Sequence, residues 1–111
     1  MSPITTHILD VASGRPAAGV AVVLERSEGE SWAPVGRGQT NDDGRCTDLM
    51  SDALTVGQYR IGFDTGGYFT RRGERTFYPE VKIVFEVAAA DEHYHVPLLL
   101  SPFGYSTYRG S

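Results

Sequence analysis

Histidine and arginine are the residues of this sequence best suited to chemistry. His93 and His95 are separated by one residue, so both imidazoles project from the same face of a strand. A third histidine, His7, lies near the N-terminus. Imidazole changes its charge near neutral pH, which suits it to acid–base catalysis. Lysine occurs only at Lys82, so arginine supplies nearly all of the positive charge, and its planar guanidinium suits flat anions.

The His-x-His pair has three possible interpretations when it is considered alone. It could bind a metal ion, although Cys46 is the only thiol and no carboxylate motif at ligand spacing accompanies the pair. It could be structural, filling hydrogen bonds at a strand edge, which is the interpretation favoured for His93. It could also carry out acid–base chemistry.

The last six residues, "STYRGS", place an aromatic ring, a fixed charge and a glycine beside the carboxylate of Ser111. The sequence contains no Gly-x-Ser-x-Gly elbow and no Gly-rich phosphate loop. The groups left for chemistry are imidazole, guanidinium, hydroxyl and a terminal carboxylate. Such groups could hold a planar anionic heterocycle, deliver water to a carbonyl and stabilise the resulting oxyanion.

The elements that must position these groups are predicted to be short β-strands. Apolar and polar residues alternate in "GVAVVLER", "GQYRIGFD" and "EVKIVFEVA", and turn-forming residues separate these segments. Only "TGGYFTRRG" breaks the alternation, and it predicts a short helix or a loop. Residues 1–111 are therefore predicted to form one all-β domain of seven or eight strands, packed as two antiparallel sheets.

The strand "HYHVPLLLSP" has an unusual outward face. Tyr94 begins the inward set, whereas His95, Pro97 and Leu99 share the other face. Because Pro97 has no amide hydrogen, it predicts an edge strand or a bulge. An apolar Leu99 on an outward face predicts a contact between subunits.

Composition excludes several classes of protein. The formal net charge of -4 and the absence of a Lys/Arg run disfavour a nucleic-acid partner. A single cysteine excludes an intrachain disulfide, and no apolar run approaches the length of a membrane span. The N-terminal residues do not have the pattern of a signal peptide and the C-terminal residues are not a Ser-Lys-Leu-type address, so a cytoplasmic protein is expected.

Several strings together carry a resemblance to a known family. The strings are "THILD", "GRPAAGV", "TNDDGR", "YPEV" and "HYHVPLLLSPFGYSTYRGS". They resemble the transthyretin-like family over about residues 4–111. The hormone carrier of that family resembles this sequence as far as "LLSPFGYST" and then departs, whereas Tyr-Arg-Gly-Ser is typical of the family's hydrolase branch.

The resemblance implies a fold, an assembly and a reaction. The fold is a β-sandwich of two four-stranded sheets with one short helix. The assembly is a homotetramer, a dimer of dimers with active sites at the dimer–dimer interface. The reaction is hydrolysis of 5-hydroxyisourate to 2-oxo-4-hydroxy-4-carboxy-5-ureidoimidazoline in urate catabolism, without a metal or an organic cofactor.

The family's functional positions match this sequence one by one. The N-terminal strand histidine matches His7, the arginine after the Asp-Gly turn matches Arg45, and the second histidine of His-Tyr-His matches His95. The terminal tetrapeptide matches Tyr108, Arg109, Gly110 and Ser111. The resemblance implies catalytic roles for His7, Arg45, His95 and Ser111. It implies substrate binding by His7, Arg45, Tyr108, Arg109, Gly110 and Ser111, with the C-terminus ordered and reaching into the cleft.

Other interpretations of these residues remain. Tyr108 could pack at an interface or line the cleft, and Arg109 could form a salt bridge at the surface or between subunits. For the whole chain, the alternatives are a small-molecule carrier without catalysis, a protein-interaction module, and a metal-dependent enzyme that uses His93 and His95.

Overall fold

Nine β-strands and one short α-helix form the regular structure of residues 2–111, which this computed structural model describes. In chain order the elements are β1 (Ile4–Asp10), β2 (Arg15–Pro16), β3 (Ala21–Glu28), β4 (Ser31–Gln39), β5 (Arg45–Cys46), β6 (Gly57–Phe63), α1 (Thr65–Arg71), β7 (Val81–Val87), β8 (Tyr94–Ser101) and β9 (Gly104–Thr107). The prediction of an all-β domain with one short helix is confirmed.

The strands form two sheets. One sheet has the order β4-β3-β6-β7, and the other has the order β2-β1-β8-β9 with β5 also paired to β1. The sheet that contains β1, called here the first sheet, has five strands where the resemblance implied four, and the β4-β3-β6-β7 sheet is called the second sheet. The two-residue strands β2 and β5 pair with successive parts of β1, at Leu9–Asp10 and at Thr6–His7. They therefore occupy one strand position between them, and the sandwich has four positions in each sheet.

The pairing of β1 with β8 is parallel, with Ile4 opposite Tyr94 and Asp10 opposite Leu100. The expectation that both sheets are wholly antiparallel is therefore wrong for this pair. Alternation specifies which side chains point inward, but it carries no information on strand direction. Parallel neighbours need a long connection, and here the chain passes through the whole second sheet between them.

The core lies between the sheets and follows the predicted alternation. Val22 and Leu24 of β3 are fully buried, and the inward residues of β6 in the same sheet and of β8 in the opposite sheet are buried as well. The inward residues of β6 and β8 are Tyr59, Ile61, Phe63, Tyr94, Val96, Leu98 and Leu100. Since these sets fill the interior, the alternate residues of β1 and β8 form an outer face on the first sheet.

The helix α1 is short and is attached to the sandwich at both ends. The Asp64 carboxylate caps its N-terminus by accepting a hydrogen bond from the Gly67 amide at 3.0 Å. The Tyr68 hydroxyl donates to Oδ2 of the buried Asp10 at 2.8 Å. Burial and this hydrogen bond raise the pKa of Tyr68 to about 12. The helix thereby connects the second sheet to the end of β1.

Pro97 lies in a central strand, so the prediction that it marks an edge is wrong. Strand β8 is paired with β1 on one side and β9 on the other. Pairing with β9 stops at Leu98–Thr107 and resumes only at an isolated bridge between His95 and Gly110. The missing amide of Pro97 lies in this interruption, and its carbonyl accepts a hydrogen bond from Thr107 Oγ1 at 2.7 Å.

Within residues 2–111, no helix has the length and apolar character needed to cross a bilayer.

Candidate active site

The outer face of the first sheet brings together three of the four residues to which the resemblance gives catalytic roles. Strand register places Arg45 of β5 opposite His7, and His95 of β8 opposite Thr5 of β1. Residues directly opposite each other in neighbouring strands share a face of the sheet. His7, Arg45 and His95 therefore emerge on the same side, away from the core residue Ile8.

A cavity of about 210 Å³ opens on this face. Its lining residues are Thr5, Arg45, Thr47, His93, His95 and Ser111. Arg45, His95 and Ser111, predicted from widely separated parts of the sequence, thus share one cavity. His7 is half-buried and does not line the cavity. It lies on the same face of β1 as the lining residue Thr5, two residues further along the strand.

The turn "NDDGR" fixes the position of Arg45. The Asn41 side-chain oxygen accepts hydrogen bonds from the amides of Asp43 at 2.9 Å and Arg45 at 3.0 Å. Gly44 has a φ of 74°, and a Cβ there would lie 2.5 Å from the Ile8 carbonyl oxygen. Only glycine fits this conformation and this close approach, so the Asp-Gly turn leads directly into β5.

The guanidinium of Arg45 is available for a ligand. It makes no salt bridge and no side-chain hydrogen bond with the residues described, 2–111. Arg60, by contrast, is fully engaged with Glu25 at 2.8 Å. An unpaired guanidinium at the rim of a cavity is suited to bind planar or developing negative charge.

His95 is held in a state suited to accept a proton. Burial lowers its pKa, and the positive potential of Arg45, with smaller effects from His7 and His93, lowers it further. A hydrogen bond to the Thr5 main chain acts in the opposite direction. The neutral imidazole therefore dominates at pH 7, which a general base requires.

The hydroxyl of Thr5 connects both histidines of the His-x-His pair. Its Oγ1 lies 2.8 Å from Nδ1 of His95 and 3.1 Å from Nε2 of His93. Thr5 is only 3% exposed, so water does not compete freely for this hydroxyl. His93 thus makes the strand-edge hydrogen bond expected of a structural histidine, but with a residue of the candidate site.

The C-terminal segment packs against His95 through Gly110. The Gly110 amide donates to the His95 carbonyl at 2.9 Å. A Cβ at this position would lie 2.6 Å from Cδ2 of His95 and 3.2 Å from Cγ of Pro97. Only a glycine permits so close an approach, and it brings Ser111 to the cavity.

Tyr108 and Arg109 lie apart from this cavity. A guanidinium nitrogen of Arg109 donates to Glu92 Oε1 at 3.0 Å, and the group lies 4.3 Å from the ring centre of Tyr94. Arg109 therefore forms the surface salt bridge considered as its alternative role. Tyr108 is 57% exposed and, with Arg109 and His95, contributes to a neighbouring cavity of about 310 Å³.

Possible metal ligands and the single thiol are the remaining groups that could carry out chemistry. Residues 2–111 contain no group of three or more His, Cys, Asp or Glu side chains placed to hold a metal ion. The thiol of Cys46 is buried, and burial raises its pKa, which disfavours the thiolate.

Thr5 is the site residue that sequence reasoning missed. A threonine in a strand is common and carries no motif of its own. The available signal was its spacing, because Thr5 lies two residues before His7 and therefore on the same face of β1. Its partner His95 becomes evident only from the register of β1 with β8.

Comparison with known proteins gives relatives over almost the whole chain. The family model described as HIUase/Transthyretin family matches residues 4–110. The 5-hydroxyisourate hydrolase of Salmonella dublin is 48% identical over 109 residues, which cover 97% of this chain and 80% of the relative.

Solved structures show the same fold on both branches of the family. The 5-hydroxyisourate hydrolase of Klebsiella pneumoniae superposes with a TM-score of 0.86 at 36% identity, covering 97% of this chain and 98% of the other. Sea bream transthyretin in complex with thyroxine gives 0.91 at 32% identity, covering 97% and 94%. The resemblance inferred from the sequence motifs is confirmed: the chain belongs to the HIUase/Transthyretin family.

Proposed function

We propose that this protein hydrolyses 5-hydroxyisourate to 2-oxo-4-hydroxy-4-carboxy-5-ureidoimidazoline in urate degradation. The observation that carries the proposal is a neutral His95 beside the unpaired guanidinium of Arg45 in one cavity. The relatives named as 5-hydroxyisourate hydrolases support the choice of substrate.

We infer a role for each group in the reaction from this arrangement. His95 accepts a proton from water as the water oxygen attacks the ring carbonyl. Arg45 stabilises the negative charge that develops on the carbonyl oxygen. When the bond from this carbon to the ring nitrogen breaks, His7 donates a proton to the departing nitrogen, and the ring opens. Ser111 and Gly110 complete the cavity. Tyr108 and Arg109 contact the substrate from the neighbouring cavity that they line.

The same proposal includes a homotetramer, a dimer of dimers. Strands β7 and β9 each lie at one edge of their sheet, and an edge strand has main-chain hydrogen-bonding groups that can pair with another chain. Leu99 lies on the same outer face of the first sheet as His95, further along β8 and opposite Leu9. A second dimer covering this face would enclose the active site.

We also propose a cytoplasmic location, with which the free thiol of Cys46 agrees.

The alternative is a small-molecule carrier, supported by the similarity to a transthyretin that binds thyroxine. A carrier needs an apolar channel. The cavity on this face instead has two imidazoles and a guanidinium, which favour chemistry.

The deciding experiment generates 5-hydroxyisourate from urate in the cuvette and follows its ultraviolet decay with and without the protein. We expect the protein to accelerate the decay, with or without a chelator. A matched control is Arg15→Ala, which removes an exposed arginine of β2 that also pairs with β1 but lies outside the cavity. Decay at the spontaneous rate would contradict the hydrolase and favour the carrier.

A further inference from the structure

A buried hydroxyl joins two imidazoles at the edge of the candidate active site. Thr5 Oγ1 is within hydrogen-bond distance of both Nδ1 of His95 and Nε2 of His93. His93 is exposed, His95 is half-buried, and Thr5 is almost fully buried between them. Nδ1 of His95 thus has a partner, whereas Nε2 has none among residues 2–111.

A threonine hydroxyl has one proton to donate, and this limits the states that the two rings can adopt together. If Thr5 donates to His93, it must accept from Nδ1–H of His95, and Nε2 of His95 then carries a lone pair. If Thr5 donates to His95, the proton of His95 lies on Nε2, and the ring cannot accept a second one there.

We propose that Thr5 is a positioning residue for the hydrolysis: its hydroxyl bond to His93 holds His95 in the tautomer that leaves Nε2 free to take a proton from water. This inference rests on the proposed function, since it assigns the partner that orients the proposed base. The His93 ring, whose hydrogen bond within residues 2–111 is to Thr5 Oγ1, takes part by fixing the direction of the hydroxyl.

The bridge serves His95 in both of its states. Before the reaction, Nδ1–H of His95 donates to Thr5 Oγ1 and the Thr5 hydroxyl donates to Nε2 of His93. When Nε2 of His95 takes the proton of the attacking water, Nδ1–H is unchanged and both hydrogen bonds persist. No side chain has to rotate, so the bridge remains intact as the charge on the ring changes.

The charged and titratable groups around His95 keep the ring neutral before the reaction. Arg45 on β5, His7 on β1 and His93 before β8 all disfavour a second positive charge near the ring. A hydrogen-bond acceptor at Nδ1 offsets part of this effect and lets His95 be protonated transiently.

The test compares two substitutions at one position. Thr5→Val keeps the shape of the side chain and removes the hydroxyl. We expect kcat to fall on the order of 10- to 100-fold, the range found when the partner that orients a functional histidine is removed. KM should change little, because this hydroxyl is already engaged with the rings of His93 and His95. Thr5→Ser restores a hydroxyl and should recover most of the loss.

The matched control is the neighbouring threonine on the opposite face of β1. Thr6 is fully buried, and its Oγ1 donates to the Val96 carbonyl at 2.6 Å. Thr6→Val therefore removes a buried hydroxyl bond between the same two strands and should lower thermal stability. It should leave kcat and the tautomer of His95 unchanged.

A spectroscopic readout separates this inference from the proposed function. Long-range ¹H–¹⁵N spectra of the imidazoles report which ring nitrogen carries the proton, without any substrate present. We expect the Nδ1–H form of His95 in the wild type, in Thr5→Ser and in Thr6→Val, and a mixture of tautomers in Thr5→Val.

The outcomes are distinct. An unchanged His95 tautomer in folded Thr5→Val would overturn the inference, whatever the activity, as would an unchanged kcat. Loss of the tautomer together with loss of kcat, both recovered in Thr5→Ser, would support it. A wild-type protein without hydrolase activity would refute the proposed function, and the imidazole spectra would still decide whether Thr5 fixes the ring.

Discussion

A histidine with a lowered pKa can accept a proton at neutral pH without first having to lose one. His95 is such a residue. His7, the proposed proton donor, lies on the same face of the sheet. Either His→Ala substitution should lower kcat by about 10²–10⁴-fold, the usual contribution of a positioned acid or base. Steady-state kinetics with in situ substrate measure this effect. Near wild-type turnover in His95→Ala would refute its role as the base.

Arg45 affects both the substrate and the base, and two substitutions separate these effects. Arg45→Lys keeps the positive charge, so the pKa of His95 should stay below its ordinary 6.5. Arg45→Ala removes that charge, so the pKa of His95 should rise. Both variants should lose most activity, because lysine lacks the planar fork that binds flat oxyanions.

Nuclear magnetic resonance titration of His95 and the pH profile of kcat/KM test this prediction. The acid limb of the wild-type profile should lie below pH 6.5, since only the neutral ring acts as a base. The limb should move upward in Arg45→Ala alone. Arg45→Lys with close to full activity would contradict the role of the fork.

The individual site residues differ in how far the sequence could predict them. His7, Arg45 and His95 stand in motifs that resemble those of the family, and the structure places them on one face. Thr5 could not be predicted, because its function depends on a strand partner near the other end of the chain. Arg109 matched the family motif, yet its side chain is engaged with Glu92 in the isolated chain.

At the scale of elements, the bridge between the C-terminal segment and β8 depends on one glycine. In Gly110→Ala the new methyl group would meet Cδ2 of His95 at 2.6 Å, so the ring or the segment must move. A displacement of about 1 Å can cost on the order of 10²-fold in rate. We therefore expect a large fall in kcat with little change in the melting temperature.

Gly104→Ala is the control for this substitution. Gly104 begins β9, and a Cβ there would meet only Ser101 Oγ at 3.7 Å, an ordinary contact. Kinetics and thermal denaturation of both variants give the comparison. Equal activity of the two variants would show that the contact of Gly110 with His95 is not needed for function.

The connection of α1 to β1 makes a separate prediction about stability. In Tyr68→Phe the buried Asp10 loses the hydroxyl at 2.8 Å, which should cost about 1–3 kcal/mol of unfolding free energy. The Tyr78 hydroxyl has no hydrogen bond within residues 2–111, so Tyr78→Phe is the matched control. Urea denaturation measures both, and equal stability of the two variants would contradict a role for the bond.

The same bond predicts a dependence on pH. The pKa of Tyr68 is raised to about 12 in the folded protein from an ordinary 10, so its contribution to stability is complete below pH 10. That contribution is lost as the pH rises from 10 to about 12. Tyr68→Phe should lack this part of the alkaline loss of stability.

For the strands, the sequence predicts which face of a strand is buried better than it predicts which strands pair with each other. Alternation identified the inward sides of β3, β6 and β8 because burial acts on each strand separately. Strand direction and order depend on contacts between distant segments, so the parallel β1–β8 pair was not predicted. The prediction from Pro97 was wrong for the same reason. The interruption in strand pairing that accommodates Pro97 lies opposite the segment after β9.

At the scale of the whole molecule, the outer face of the first sheet is the surface most suited to another copy. Leu99→Arg would place a charge on this face, next to Leu9 of β1. We expect the wild type to sediment as four copies of the 12.1 kDa chain and Leu99→Arg to sediment as a smaller species with reduced activity.

Val56→Arg is the control for this change. Val56 is 63% exposed and lies before β6, outside the first sheet, so the same substitution there should leave the mass unchanged. Sedimentation of Leu99→Arg as an intact tetramer would contradict an interface at this face.

The parallel pairing of β1 with β8 also determines when during folding the site can form. Strands β3 and β4, and strands β8 and β9, pair with their nearest neighbours in the chain, and β1 pairs with the early strands β2 and β5, whereas its pairing with β8 joins residues 90 positions apart. Contacts between distant segments carry the largest loop-closure cost and form slowly. His95 of β8 joins His7 of β1 and Arg45 of β5 only at that step. Recovery of activity during refolding should therefore lag behind burial of the core and report the docking of the first strand.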